Sequence, residues 1–377
     1  MSAISHRARV IAAVEHRTTD RYPIDLGMHF SSGISVFAYH NLRKHLGLST
    51  DGIEAIDNVQ LLARVEEDIL ERFHVDTELL RVPWKNRARW HVREDYTFIV
   101  PEALNPQPDE HGNFWVHLNG GSMRLPAGGY FFDGDWLRVS ELDEEDLLRE
   151  TVAEANKIRA NKDRFCTYQN FAAYFLDLEF ACMMYTDPDE VIARNEAAHR
   201  HNLAMLEQMI RLDKAHNIDC VGLNSDLGIQ NAPMINPEMY AEFCLPYLKD
   251  FCSKVHEWSG MKTFMHSCGS IEPLIPHLIE AGIDILNPVQ ISAANMEPSV
   301  LKEKYGSKIC FWGGGCDTQN VLDRADVKGV RANVKQLTDI FKPNGGFVFN
   351  QVHNIMGNVP PENIVAMLDA AYENSFL

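Results

Sequence analysis

The chain is most easily placed by what it lacks. No apolar run comes near the roughly 20 residues that a bilayer-spanning helix needs, so no membrane association is expected. The stretch Met1–Pro23 has neither the apolar core nor the small-residue cleavage pattern of a secretory leader, and a cytoplasmic protein is expected. No glycine-rich dinucleotide fingerprint follows the first candidate strand. No Lys-Ser or Lys-Thr follows the glycines Gly313–Gly315, so the Walker pattern is missing as well. Positive charge is scarce: 35 Lys and Arg stand against 53 Asp and Glu, a net −18. A surface of that average sign repels phosphates, and nucleic acid is excluded as a general partner. Low-complexity linkers and internal repeats are absent too, which argues against a solenoid or a string of domains.

What remains is an ordinary globular composition, 45% hydrophobic and 23% charged. The eight cysteines (166, 182, 220, 244, 252, 268, 310 and 316) lie mostly in apolar segments. That usage fits reduced, packed thiols rather than a disulfide framework. Short apolar runs ending in Gly, Asn, Asp or His alternate with helix-patterned stretches. Strands are predicted at Tyr22–Leu26, Asp76–Val82, Phe165–Gln169, Cys220–Asn224, Lys262–Cys268, Ile283–Val289, Ile309–Gly313 and Phe347–His353. Helices are predicted over Asp187–Leu212, Pro237–Ser259, Ile271–Ala281 and Pro361–Tyr372. The alternation predicts an α/β fold, a (β/α)8 TIM barrel, with a doubly wound open sheet as the structural rival. Residues Trp84–Trp136, rich in Trp, Arg, Asp, Gly and Pro, break the rhythm with hairpin-like runs at Thr97–Val100 and Asn113–His117. We read them as an inserted β-rich excursion in the N-terminal half, an insertion or lid within a single barrel domain of residues 1–377, with a separate small domain as the alternative.

In such a barrel the chemistry sits where strands end. The strand ends deliver Asp226, His266-Ser267-Cys268, Asn287, Gln290, Gly313–Asp317, Gln351 and His353. His266 and Cys268 are two apart, which on a strand turns imidazole and thiol to one side. Both are good zinc ligands, and a catalytic zinc typically takes three protein ligands and keeps one position open. His353 and Cys316 are the candidates for the third. Asp226, Asn287 and Gln351 are candidates for orienting a substrate, Gln351 because it lies two residues before His353. Phe30, Phe37, Trp84, Tyr168, Tyr174 and Phe175 are either an aromatic pocket lining or barrel core.

The stretches LNSDLG (Leu223–Gly228), PEMY (Pro237–Tyr240), HSCGSI (His266–Ile271), Pro273–Val289, GGGCDTQ (Gly313–Gln319) and Gln351–Ala366 resemble the uroporphyrinogen decarboxylase superfamily, closest to its methyltransferase branch. The resemblance implies a (β/α)8 barrel. The decarboxylases hold tetrapyrrole carboxylates with an Arg-rich N-terminal motif. The matching region here, Ile24–Ile34, contains no Arg. The methyltransferases bind zinc through a His-X-Cys pair, matched by His266 and Cys268, and a later Cys. His353 stands where that Cys is expected, a departure, with Cys316 as the fallback third ligand.

The resemblance therefore implies a zinc-dependent methyltransferase. It would exchange a methyl group between a small molecule and a corrinoid (cobalamin) carried by a partner protein, with homo-oligomers possible. No Asp-X-His-X-X-Gly corrinoid-ligand motif is present, so the carrier is expected to be another chain. One thiolate with two imidazoles leaves more positive charge on zinc than two thiolates do. That favours an oxygen leaving group and hence O-demethylation of a methoxylated aromatic. The alternatives are methyl transfer to a thiol such as coenzyme M, a metal-free decarboxylase-like lyase using Asp226 and His353, and a non-catalytic partner of a corrinoid protein.

Overall fold

In the computed structural model, which describes residues 4–376, the largest sheet has six strands, all parallel and in sequential order. These are β1 (Thr167–Phe171), β2 (Cys220–Asn224), β3 (Lys262–His266), β4 (Ile285–Asn287), β5 (Cys310–Trp312) and β6 (Phe347–Val348). Helices follow each strand, among them α1 (Pro188–Leu212), α2 (Leu245–Ser259), α3 (Val327–Phe341) and α4 (Pro361–Glu373). Parallel strands joined through helices are covered on both faces, which is why they read as unbroken apolar runs.

Helix boundaries follow local chemistry. Asp187 caps α1 by accepting from the Glu190 N–H, with Pro188 at the first helical position, and Asp326 does the same for α3 through the Gly329 N–H. Gly260 ends α2 in the left-handed region, φ 71°. The expected helix over 237–259 is two helices, Pro237–Phe243 and α2, meeting at Cys244. Pro246, which can donate no backbone hydrogen bond, sits in the first turn of the second.

The period of two along the strands divides the core. Phe165, Cys220, Phe264, Ile285, Cys310, Trp312 and Val348 pack together on one side, with Met28 and with Val10, Ala13 and Val14 of the helix His6–Val14. The intervening Val221, Met265, Leu286 and Phe311 join the larger cluster that includes the covering helices. His266 and Asn287 therefore share the face of Phe264 and Ile285, at the carboxyl ends of β3 and β4.

Two predicted strands are present as short extended contacts. Residue Ile24 bridges Phe349 and Thr77 bridges Phe165, both in parallel sense, flanking the two edges of the sheet. The Asp76 N–H donates to the Ile24 carbonyl, 2.8 Å, joining these segments to each other. Between them lies Asp76, fully buried, holding Arg9, Arg21 and the Ile24 N–H. Past Thr77 the backbone leaves the ladder, so the strand expected to reach Val82 stops early.

The 84–136 region is antiparallel, as its composition suggested. Arg87–Arg93 pairs with Tyr96–Pro101, and a four-stranded sheet runs through 107–108, 114–118, 121–125 and 133–134. It is tied to the rest by Ile99 N–H to Ile53 O and Phe132 N–H to Val59 O. Among the described residues no helix is long and apolar enough to cross a membrane.

Candidate metal centre

His266 ends β3 and stands in register with Asn224 of β2 and Asn287 of β4. The ladder stops there, two residues short of the expected strand end, so Cys268 lies in the following loop. That loop folds back: Cys268 Sγ is 3.4 Å from His266 Nε2. His353 arrives from the segment after β6, which leaves the sheet at Val348 rather than continuing to 353. Its backbone is left-handed, φ 63°, uncommon for a residue other than glycine. Its ring stands edge-on to His266 at 5.7 Å between centroids. One ligand atom from each of His266, Cys268 and His353 lies within 4.8 Å of the others. Among the described residues this is the one group of three or more His, Cys, Asp or Glu so disposed, and Cys316 is not part of it. Cys316 is buried in the core.

The Cys268 loop is held in part by direct backbone-to-backbone packing. Gly269 has φ 87°, and a Cβ there would meet the Gly228 carbonyl carbon at 2.3 Å. Only glycine satisfies both demands. Asp226, on the loop after β2, accepts the Cys268 N–H at 2.9 Å, and the same oxygen lies 3.6 Å from His266 Nε2. Its side chain is 53% exposed, so it faces the open side of the group.

Asn287 is fully buried and hydrogen-bonds three groups of the protein. Its Oδ1 meets His266 Nδ1 at 2.8 Å and accepts the Ser31 hydroxyl at 2.8 Å, while its Nδ2 donates to the Trp312 carbonyl at 2.9 Å. The amide is thereby oriented, Nδ1 of His266 carries the proton, and Nε2 presents its lone pair toward Cys268. Gln351 is buried too. Its Nε2 donates to the backbone carbonyl of His353 at 2.9 Å, supporting the left-handed turn.

Burial lowers the pKa of His266, with Asp226 and Asn287 opposing, and burial with the neighbouring His266 lowers that of His353 to about 4. Burial and Asp226 push the Cys268 thiol well above its usual range. At neutral pH the free site thus holds two neutral imidazoles and one thiol.

Two neighbours escaped the sequence reading. His29 stacks on His266 at 5.4 Å, and its Nδ1 lies 2.5 Å from the Ser31 hydroxyl. Both sit in the Ile24–Ile34 stretch, where attention to missing arginines hid a buried histidine. Of the six aromatics, Phe37, Trp84, Tyr168, Tyr174 and Phe175 are core, and Phe30 alone is half-buried.

The fold and the site define a parallel α/β protein with a His–Cys–His group at the carboxyl ends of its strands. The uroporphyrinogen decarboxylase (URO-D) family model matches residues 177–374, more than half the chain, and the protein belongs to that family. A comparison with curated proteins finds no match. Among solved structures, a methyltransferase from Methanosarcina mazei is similar over 98% of this chain and 99% of its own, with TM-score 0.60 and 14% identity. At that identity the likeness speaks for the fold. D-Psicose 3-epimerase from Clostridium cellulolyticum H10 matches 61% of this chain and 82% of its own, with TM-score 0.37 and 13% identity.

Proposed function

We propose that this protein is a zinc-dependent methyltransferase. It moves a methyl group between a small methylated compound, favoured as a methoxylated aromatic, and a corrinoid on a separate carrier protein. The observation that carries the reading is the convergence of His266 Nε2, Cys268 Sγ and His353 at the strand ends. We read the architecture as a (β/α)8 barrel in which the 22–26 and 76–78 segments supply the two staves outside the six-stranded sheet. Residues 84–136 are read as an insertion within that single domain.

The donor set suits zinc: two nitrogens and one sulfur leave a tetrahedral ion one open position. When bound, zinc would supply Lewis acidity toward a leaving oxygen. The chain's own residues do the rest. Asn287 holds the His266 ring with its Nε2 facing the group. Gln351 holds the His353 turn. Asp226, the exposed acid beside the ligands, keeps one carboxylate oxygen outside the Cys268 bond and is placed to hand a proton to, or take one from, an atom at the open side. The mixed donor set, with a single thiolate, favours an oxygen leaving group over thiol alkylation.

The test is metal analysis of purified protein together with cobalt spectra of candidate carriers given a panel of methoxylated compounds. One zinc per chain and methyl-cobalt formation are expected. His266→Ala and Cys268→Ala should abolish both. A metal-free protein on which these substitutions have no effect would sink the proposal.

A further inference from the structure

A second concavity shares the loop that carries His29. Phe30 lines it together with Arg81, Arg138, Asn170 and Asp57. The Phe30 carbonyl accepts from Asn354 Nδ2 at 2.9 Å, next in sequence to His353. Phe30 thus ties the wall of this pocket to the chain segments that carry His29 and His353.

The pocket carries an excess of positive charge, Arg81 and Arg138 against the single carboxylate of Asp57. Arg64 nearby is paired with Glu54 at 2.9 Å. Among the described residues neither Arg81 nor Arg138 has an ion-pair partner. Arg81 Nε is buried without a hydrogen bond, and its guanidinium lies over the rings of Trp84 at 4.6 Å and Phe30 at 5.8 Å. Burial, with Arg64 and Arg138 nearby and Asp57 opposing, brings Arg81 down to about 10. Asp57, the one acid lining the pocket, already accepts from the Val59 N–H at 2.8 Å and from Gln60 Nε2 at 3.1 Å. Asn58 clasps the segment bearing Arg138, donating to the Leu137 carbonyl at 2.5 Å and accepting the Val139 N–H at 3.3 Å. A half-buried guanidinium with free donors is the side chain best shaped to take an oxyanion in a fork. The adjoining Phe30 face suits an aromatic ring.

We propose that this pocket receives the anionic end of the substrate, the carboxylate of an aromatic acid whose methyl-bearing end reaches the metal group. The proposal rests on the methyl-transfer function above and names its substrate class.

Calorimetric titration of the zinc-loaded protein with 4-methoxybenzoate, 4-methoxybenzyl alcohol and 2-mercaptoethanesulfonate tests it. The benzoate should bind at least ~10-fold tighter than the neutral alcohol, as charged hydrogen bonds require. Arg81→Gln and the exposed Arg138→Gln should each erase much of that margin and leave the zinc content intact. Arginine-dependent binding of the sulfonate but not of the benzoate would keep the oxyanion pocket and overturn the aromatic acid. Equal binding of benzoate and alcohol, or arginine variants that bind benzoate like wild type, would overturn the pocket itself. The same titration on Cys268→Ala separates the two proposals. Arginine-dependent benzoate binding there supports the pocket even if the metal reading fails.

Discussion

Replacing Asn287 by alanine tests whether the residue under His266 governs the metal. Asn287 touches three groups: His266 Nδ1 and the Ser31 hydroxyl at 2.8 Å each, and the Trp312 carbonyl at 2.9 Å. Asn287→Ala leaves all three buried without that partner and frees the imidazole to rotate or to change tautomer. Losing such an outer partner of a metal-binding histidine typically costs roughly 10–100-fold in affinity, about 1.4–2.8 kcal/mol. Folding stability falls as well, by about 1–3 kcal/mol for each buried group left unpaired. Zinc affinity is therefore measured on native protein by competition with a chromophoric chelator, with near-ultraviolet circular dichroism as the check on folding. Asn287→Asp keeps the acceptor and adds negative charge behind the imidazole, so it should hold zinc at least as tightly as wild type. A folded Asn287→Ala protein binding zinc within twofold of wild type would refute the reasoning. So would alanine and aspartate variants that lose the metal alike.

Two further outcomes follow from the buried charges. Both imidazoles are neutral in the free site at pH 7 while Cys268 keeps its proton, so zinc uptake should release one proton. The logarithm of apparent affinity should then rise by about one per pH unit between roughly pH 6 and 8, and a slope of two or more would mean the histidines are charged. Burial alone would raise the Asp76 pKa, but His6, Arg21 and Arg9 bring it below its usual value of 3.8. Its contribution is therefore complete above that value and is lost as pH falls below it. Asp76→Asn should cost about 3–5 kcal/mol in urea unfolding at pH 7 and flatten the acid limb, and a loss under 1 kcal/mol would contradict this.

The sequence made the central strands legible because buried parallel strands are short apolar runs closed by polar residues. It also made His266 legible, because residue parity along Phe264–His266 is local. Strand ends were not. Cys268 and His353 both lie beyond the ladder, where the path depends on Gly269 packing against Gly228 and on a left-handed turn at His353. The pairing of His266 with Asn287 is a register between neighbouring strands, which no spacing within either strand encodes. Asn287 and Gln351 were expected to orient a substrate; the structure shows what they hold within the protein, the His266 ring and the backbone turn at His353. Sequence position says where an amide is, and only packing says what it faces. His29 and Arg81 were missed because they lie in irregular backbone, where neither periodicity nor a motif marks them.

The contact between Gly228 and Gly269 also bears on how the site moves. With no side chain between them, the loops after β2 and β3 press backbone to backbone, and the Cys268 N–H is further tied to Asp226. The two loops form one mechanical piece. A push on Asp226 from the open side would therefore be passed to Cys268 through that hydrogen bond, whereas His353 comes in on a separate chain segment. The separation of Cys268 and His353 is thus the dimension of the group that the joined loops leave adjustable.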